Sequence, residues 1–76
     1  MSELLAYLVR QLVDEPDAVR VETEEREDST VLLIHVAPDD IGKVIGRAGR
    51  IIRALRTIMR AAGARAQTRV VLEIVE

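Results

Sequence analysis

The residues of this chain able to do chemistry gather in one place. Gly46-Arg47-Ala48-Gly49 is preceded by Lys43 and followed by Arg50 and Arg53. Glycines at both ends of a two-residue turn allow positive φ and let the main chain come close to a ligand with its N–H groups presented. Cations on both sides make that ligand an anion, and Ile41, Val44 and Ile45 offer an apolar wall beside it. The chemistry is therefore binding. Charge-assisted donors surround phosphate oxygens, reinforced by uncapped N–H groups and the dipole of the helix that follows.

Other chemistry is poorly supplied. The chain has no cysteine, which removes disulfides, thiolate metal sites and thiol nucleophiles. His35, the only histidine, falls in a predicted strand, where a satisfied or half-exposed role is expected rather than a general base. Asp39 and Asp40 are adjacent carboxylates, but helix capping accounts for them without acid–base work. Gly42-Lys43 lacks the spacing of a nucleoside-triphosphate loop. An enzyme is not expected, nor a metal or other cofactor.

Charge is divided along the chain. The net charge is −2, yet residues 1–40 carry three basic and eleven acidic residues, a net of −8. Residues 41–76 carry eight basic and two acidic residues, a net of +6. The glycine turn lies in the basic half. Local potential decides what a surface attracts, because exposed charges more than about 8 Å apart are largely screened at physiological salt. A chain of 76 residues supports one small domain. Its longest apolar run, Leu4–Val9, is far short of the roughly 20 residues of a membrane helix. The N-terminus has no basic segment before an apolar core, so no signal peptide is expected and the cytoplasm is the default location.

The elements that must hold the turn follow from periodicity. Leu4, Leu5, Leu8, Val9, Leu12 and Val13 recur at helical spacing and predict an amphipathic helix over 2–14, ended by Asp14-Glu15-Pro16. Val19, Val21 and Thr23 alternate with charged residues and predict a half-buried strand; Thr30–Val36 predicts a more deeply buried one, paired with it as a hairpin. Pro38-Asp39-Asp40 stops the second strand, and either aspartate can cap a short helix over Ile41–Ile45. After the glycine turn a longer helix runs from about Arg50 to Ala62, with Gly63 as its C-terminal cap. Val70, Leu72 and Ile74 on one face make a last strand. The order is α-β-β-α-α-β.

On a helical wheel at about 100° per residue the longer helix divides cleanly. Ile51, Ile52, Leu55, Ile58, Met59 and Ala62 share one arc, expected to pack on the sheet and first helix, while Arg50, Arg53, Arg56 and Arg60 share the opposite one. No acidic residue lies three or four positions from these arginines, whereas an ordinary solvated helix mixes signs. Arg50 sits at the positive end of the helix dipole, a placement costing about 0.3–1 kcal/mol that an incoming anion would offset.

Ile45-Gly46-Arg47-Ala48-Gly49-Arg50-Ile51-Ile52, after a strand and short helix and before a long helix and strand, resembles the GXXG core of a KH domain, a module that clamps four nucleotides of backbone. The element order is similar to the bacterial type II arrangement over essentially the whole chain. The stretch from Gly42-Lys43 through Arg56-Thr57 resembles the small bacterial KhpA-type (YlqC-type) RNA-binding family. That resemblance implies an α+β fold: a single type II KH domain over 1–76, with a three-stranded mixed sheet, its last two strands parallel, and the helices on one face. It implies single-stranded RNA held between the GXXG side and the central strand, in an RNA chaperone or post-transcriptional regulator. Gly46, Arg47, Ala48 and Gly49 would be the clamp, with Lys43, Arg50 and Arg53 as flanking cations. Ile41, Val44 and Ile45 would line the groove, and Ile34 or Val36 would contribute from beneath. Residues 61–68 would form a variable loop from which Arg65 touches the strand's far side. Self-pairing and pairing with a larger KH-domain protein are also implied, and no membrane.

Two other classes compete with this expectation. A DNA-binding helix-turn-helix also joins two helices near glycines, but the surrounding strands and the short first helix weigh against it. A pure interaction module would use Val31, Leu33, Val71 and Val75 on the sheet face opposite the helices as an apolar partner surface. There is no Phe or Trp, and Tyr7, the only aromatic, is expected at the core edge. Base stacking on aromatic platforms, worth about 1–3 kcal/mol per base, is therefore not on offer. RNA binding by such a chain should be weak, tolerant of sequence and sensitive to salt.

Overall fold

Apolar residues at helical spacing, then in alternation, then again at helical spacing build the architecture that the pattern predicts. A computed structural model describes residues 1–76. Helix α1 spans Ser2–Arg10, strand β1 Arg20–Glu25, strand β2 Thr30–His35, helix α2 Ile41–Ile45, helix α3 Arg50–Arg65 and strand β3 Val70–Ile74. Short 3₁₀ turns at Pro16–Ala18, Pro38–Asp40 and Arg47–Gly49 join them. The sheet order is β1-β2-β3, with β1 and β2 antiparallel and β2 and β3 parallel. It is thus the α+β fold with a mixed three-stranded sheet anticipated above.

The core lies between the sheet and the helix layer. Leu5 and Val9 of α1, Leu32 and Ile34 of β2, Val44 of α2, Leu55 and Met59 of α3 and Leu72 of β3 form one buried cluster. Ile52, Leu55, Met59 and Gly63 are the buried stripe of α3. Ile58, expected on that stripe, is instead 43% exposed. It lies far enough round the helix from Leu55 and Met59 to clear the sheet. Tyr7 stands further out than its expected place at the core edge, at 59% exposure. The outer sheet face is less open than its sequence suggests. Val31 is fully buried and only Val75 is exposed, while register sets Glu24 opposite Val31 and Glu22 opposite Leu33.

Three connections differ from expectation, each for a local reason. Helix α1 stops at Arg10 rather than Asp14. Gln11 and Leu12 close it with tight N–H bonds to the Leu8 and Val9 carbonyls at 3.2 and 2.9 Å, and the next amides are taken elsewhere. Those of Asp14 and Glu15 donate to the two carboxylate oxygens of Asp40 at 3.2 and 3.0 Å. Asp40 therefore does not cap α2 through its side chain. It is 1% exposed and staples the α1–β1 connection to the entrance of α2.

Gly63 is not a cap either. Helix α3 continues to Arg65, and a Cβ on Gly63 would lie 2.6 Å from both the Thr68 carbonyl oxygen and Val70 Cγ2. The glycine is there so that helix and strand can touch. The helix ends one turn later, where Gln67 takes φ 55°. The Thr68 amide donates to the Gly63 carbonyl at 2.7 Å and the Gln67 amide to that of Ala64 at 3.1 Å, a double closure that satisfies the last carbonyls. The expected 61–68 loop accordingly shrinks to residues 66–69, and Arg65 belongs to the helix.

Burial pushes the Asp40 carboxyl up, but the Asp14 and Glu15 amides and the Lys43 ammonium together outweigh it and hold the group below its ordinary value of 3.8. A carboxyl held low in the folded state adds stability above the unfolded value, and that stability is lost as pH falls through the lower folded one. Lys43 is held above its ordinary 10.5 by hydrogen bonds to Asp14 and Asp40, so its contribution is present below 10.5 and lost only at higher pH. Thermal melts of Asp40→Asn should therefore show a lower midpoint than wild type at neutral pH and a shallower fall on acidification below about pH 4. Parallel acid limbs for the two proteins would contradict this role.

Candidate nucleic-acid interface

Helix α2 is short because Gly46 ends it. Gly46 has φ 77° and ψ 169°, a region open in practice only to glycine. A Cβ at this position would lie 2.6 Å from Ile51 Cγ1. Ala48 and Gly49 follow in left-handed geometry, with φ 56° and 71°, and α3 starts at once. The Gly46 amide donates to the Gly42 carbonyl at 2.9 Å and the Gly49 amide to that of Gly46 at 3.1 Å, while the Arg50 amide bonds the Arg47 carbonyl. The glycine amides thus shape the turn and are not free for a phosphate. The Arg47 and Ala48 side chains project from its exposed tip.

The flanking cations do not all stand free. Lys43 Nζ lies 2.9 Å from an Asp14 carboxylate oxygen and 3.3 Å from Asp40 Oδ1, so its charge is already partnered within the protein. Arg53 Nη2 donates to the Ala48 carbonyl at 2.9 Å. Arg47 and Arg50 are exposed. None of the arginines from Arg47 to Arg69 forms an ion pair with a carboxylate; the ion pairs join Arg20 and His35 to Glu22, Arg26 to Glu24, and Lys43 to Asp14 and Asp40. The basic half expected from the sequence is therefore a field with little internal compensation. His35 is half-buried on β2 beside Glu22; its Nε2 makes no hydrogen bond, so of the two expected roles it takes the half-exposed one.

The apolar wall separates into surface and support. Ile45 is exposed and Ile41 half-buried on α2. Val44 is fully buried in the core and has no surface to give a ligand; it anchors α2 beneath the turn. The same holds for Ile34, fully buried in β2, while Val36 is half-buried. On the helix side of the central strand, Leu32 and Ile34 are both buried in the core.

Open space flanks the sheet at both edges, against β1 and against β3. A cavity of about 560 Å³ runs between α3 and β3, lined on the helix by Arg56, Arg60 and Ala64 and on the other side by residues 68–72. Strand β3 is an edge strand, and Arg69 joins Arg56 and Arg60 on this cavity, whereas Arg65, expected to reach RNA from the 61–68 loop, does not line it. Two arginines of the ridge, Arg56 and Arg60, thus border this cavity, while Arg50 and Arg53 lie nearer the glycine turn and do not line it. Arg69 carried one available signal, its position in the basic half immediately before a strand. That this strand is the uncovered edge depends on topology.

Comparison with known proteins relates the chain to one family. The profile of a family described as "KhpA/KhpB, KH domain" matches residues 2–74. A protein of Clostridium acetobutylicum named RNA-binding protein KhpA is 47% identical over 75 residues, covering 99% of this chain and 100% of that one. Its namesake in Treponema pallidum is 49% identical over 99% of this chain and 94% of its own. That of Aquifex aeolicus is 46% identical over 100% and 96%.

Proposed function

The chain belongs to the KhpA/KhpB family of KH domains, and on that premise we propose that it binds single-stranded RNA through the 46–49 turn and the groove between α3 and β3. Its relatives are named for RNA binding and not for a reaction, in agreement with the expectation that it is not an enzyme. The observation that carries the proposal is the run of arginines without carboxylate partners along one cavity. Arg47 and Arg50 at the turn contact the phosphates of about four nucleotides. Ile41 and Ile45 meet the bases from one side, while Arg56, Arg60 and Arg69 line the path beyond. Gly46 and Gly49 shape the clamp, and Lys43 and Val44 hold α2 in place behind it.

With one exposed aromatic on a distant helix, such a clamp grips backbone and reads little. Action as an RNA chaperone or post-transcriptional regulator fits a binder of this kind, as does pairing with a second copy or with a larger KH-domain protein. Two weak clamps on one RNA multiply through effective concentration. Binding isotherms for an unstructured RNA and a duplex DNA of equal length test the reading. The RNA should bind more tightly, with log K falling against log salt at a slope of about −1.4 to −2.8 for two to four phosphate contacts. A clear preference for the duplex, or a flat salt response, would sink it.

A further inference from the structure

Arg53 lies in the second turn of α3, a member of the arginine ridge by its place on the helix wheel. Its guanidinium, however, is turned back on the protein, with Nη2 donating to the Ala48 carbonyl at 2.9 Å. Ala48 is unusual in its own right. It and Gln67 are the two non-glycine residues with positive φ, at 56° and 55°, and an L side chain disfavours that conformation sterically. Gln67 is held by the double closure of α3 described above. Ala48 is spanned by two backbone bonds, from the Gly49 amide to the Gly46 carbonyl and from the Arg50 amide to the Arg47 carbonyl; neither takes the Ala48 carbonyl itself, which Arg53 pins.

We propose that Arg53 is a positioning residue, which holds the strained Ala48 peptide, and with it the Arg47 side chain, in the conformation that grips RNA. It does not itself hold a phosphate. This rests on the RNA-clamp reading above. A loop that samples several conformations binds with an affinity reduced by the fraction of time spent in the competent one. Arg53 raises that fraction by giving the left-handed peptide a charge-assisted hydrogen bond that competing conformations lack. Glycine at position 48 would adopt the same geometry without steric penalty, so the need for Arg53 should fade when Ala48 is replaced by Gly.

The test uses Arg53→Met in the wild-type and Ala48→Gly backgrounds, with Arg47→Met as the phosphate-contact control and an unstructured oligopyrimidine RNA as probe. Arg53→Met should weaken binding about three- to tenfold while leaving the salt slope unchanged. Arg47→Met should flatten the slope by about 0.7. In the Ala48→Gly background the loss from Arg53→Met should shrink to less than about twofold. In the free protein, backbone NMR order parameters of residues 47–49 should fall in Arg53→Met, a result that needs no RNA. A salt slope flattened by about 0.7 with the same loss in both backgrounds would make Arg53 a phosphate ligand and overturn the proposal. So would unchanged affinity in Arg53→Met while Arg47→Met binds poorly. If neither variant alters affinity, the RNA clamp itself has failed and the proposal falls with it.

Discussion

Replacing Arg47 and Ala48 together by aspartate should abolish RNA binding and leave the fold standing. The double variant removes one guanidinium and adds two negative charges where phosphate is proposed to sit. Loss of a charged hydrogen bond costs about 1.5–3 kcal/mol. Two like-charge approaches at about 4 Å add at least about 1 kcal/mol each even in bulk water. A loss of more than a hundredfold, about 3 kcal/mol, is the conservative expectation. The fold should survive because both side chains are exposed and because aspartate tolerates the left-handed geometry of position 48, φ 56°, better than most residues. Fluorescence anisotropy with a labelled RNA, beside a thermal melt, reads both halves at once. Retained binding in a folded variant would remove the glycine turn from the mechanism.

Gly46→Ala should do the reverse and damage the fold itself. The backbone there occupies φ 77° and ψ 169°, which costs a side chain of either size about 1–3 kcal/mol. The new methyl would also meet Ile51 Cγ1 at 2.6 Å and Ile51 Cβ at 2.8 Å. The second of these atoms is fixed to the α3 backbone and cannot swing aside, so an overpacking cost of about 1–3 kcal/mol adds to the first. The total is about 2–6 kcal/mol, and its mid-range value of about 4 corresponds to a fall of some 15–30 °C in melting temperature for a domain of this size. Gly49→Ala is the internal control. Its φ is 71°, but the nearest atom to an added Cβ is Ile52 Cγ2 at 3.9 Å, so only the left-handed penalty of about 1–2 kcal/mol applies. Equal destabilisation by the two alanines would show that the contact with Ile51 is not what makes Gly46 obligatory.

How far the sequence discloses this molecule depends on the range over which each residue acts. Gly46 and Gly49, the alternation of β1 and β2 and the arginine stripe of α3 act on neighbours within a few positions, so they are legible from spacing alone. The element order and the glycine turn emerge as read. Asp40 acts on amides some 25 residues earlier, and no local pattern distinguishes it from a helix cap. Its partnership with Lys43 turns a nominal RNA contact into an internal strut. Val44 resembles Ile41 and Ile45 in type, yet its position on a five-residue helix points it wholly inward. Gly63 carries the usual signature of a helix stop, and its actual role depends on Val70, which approaches only once the sheet is formed. A groove beside the central strand is implied by the family resemblance and not by any residue pattern; the cavity between α3 and the edge strand β3 depends on topology that no local pattern discloses.

The parallel pairing of β2 with β3 also orders events in time. The β1–β2 hairpin closes over a tight turn and can form while the rest of the chain is still unfolded. The sheet's third strand, by contrast, must find β2 across both intervening helices, a non-local closure of the kind that slows folding. One wall of the proposed RNA groove is that strand. Until that closure is made, the arginines of α3 have no groove to border. On the proposed reading, charge alone can draw RNA to the unclosed chain, and a seat for it forms only when β3 docks, so closure of the sheet and the onset of binding are one event.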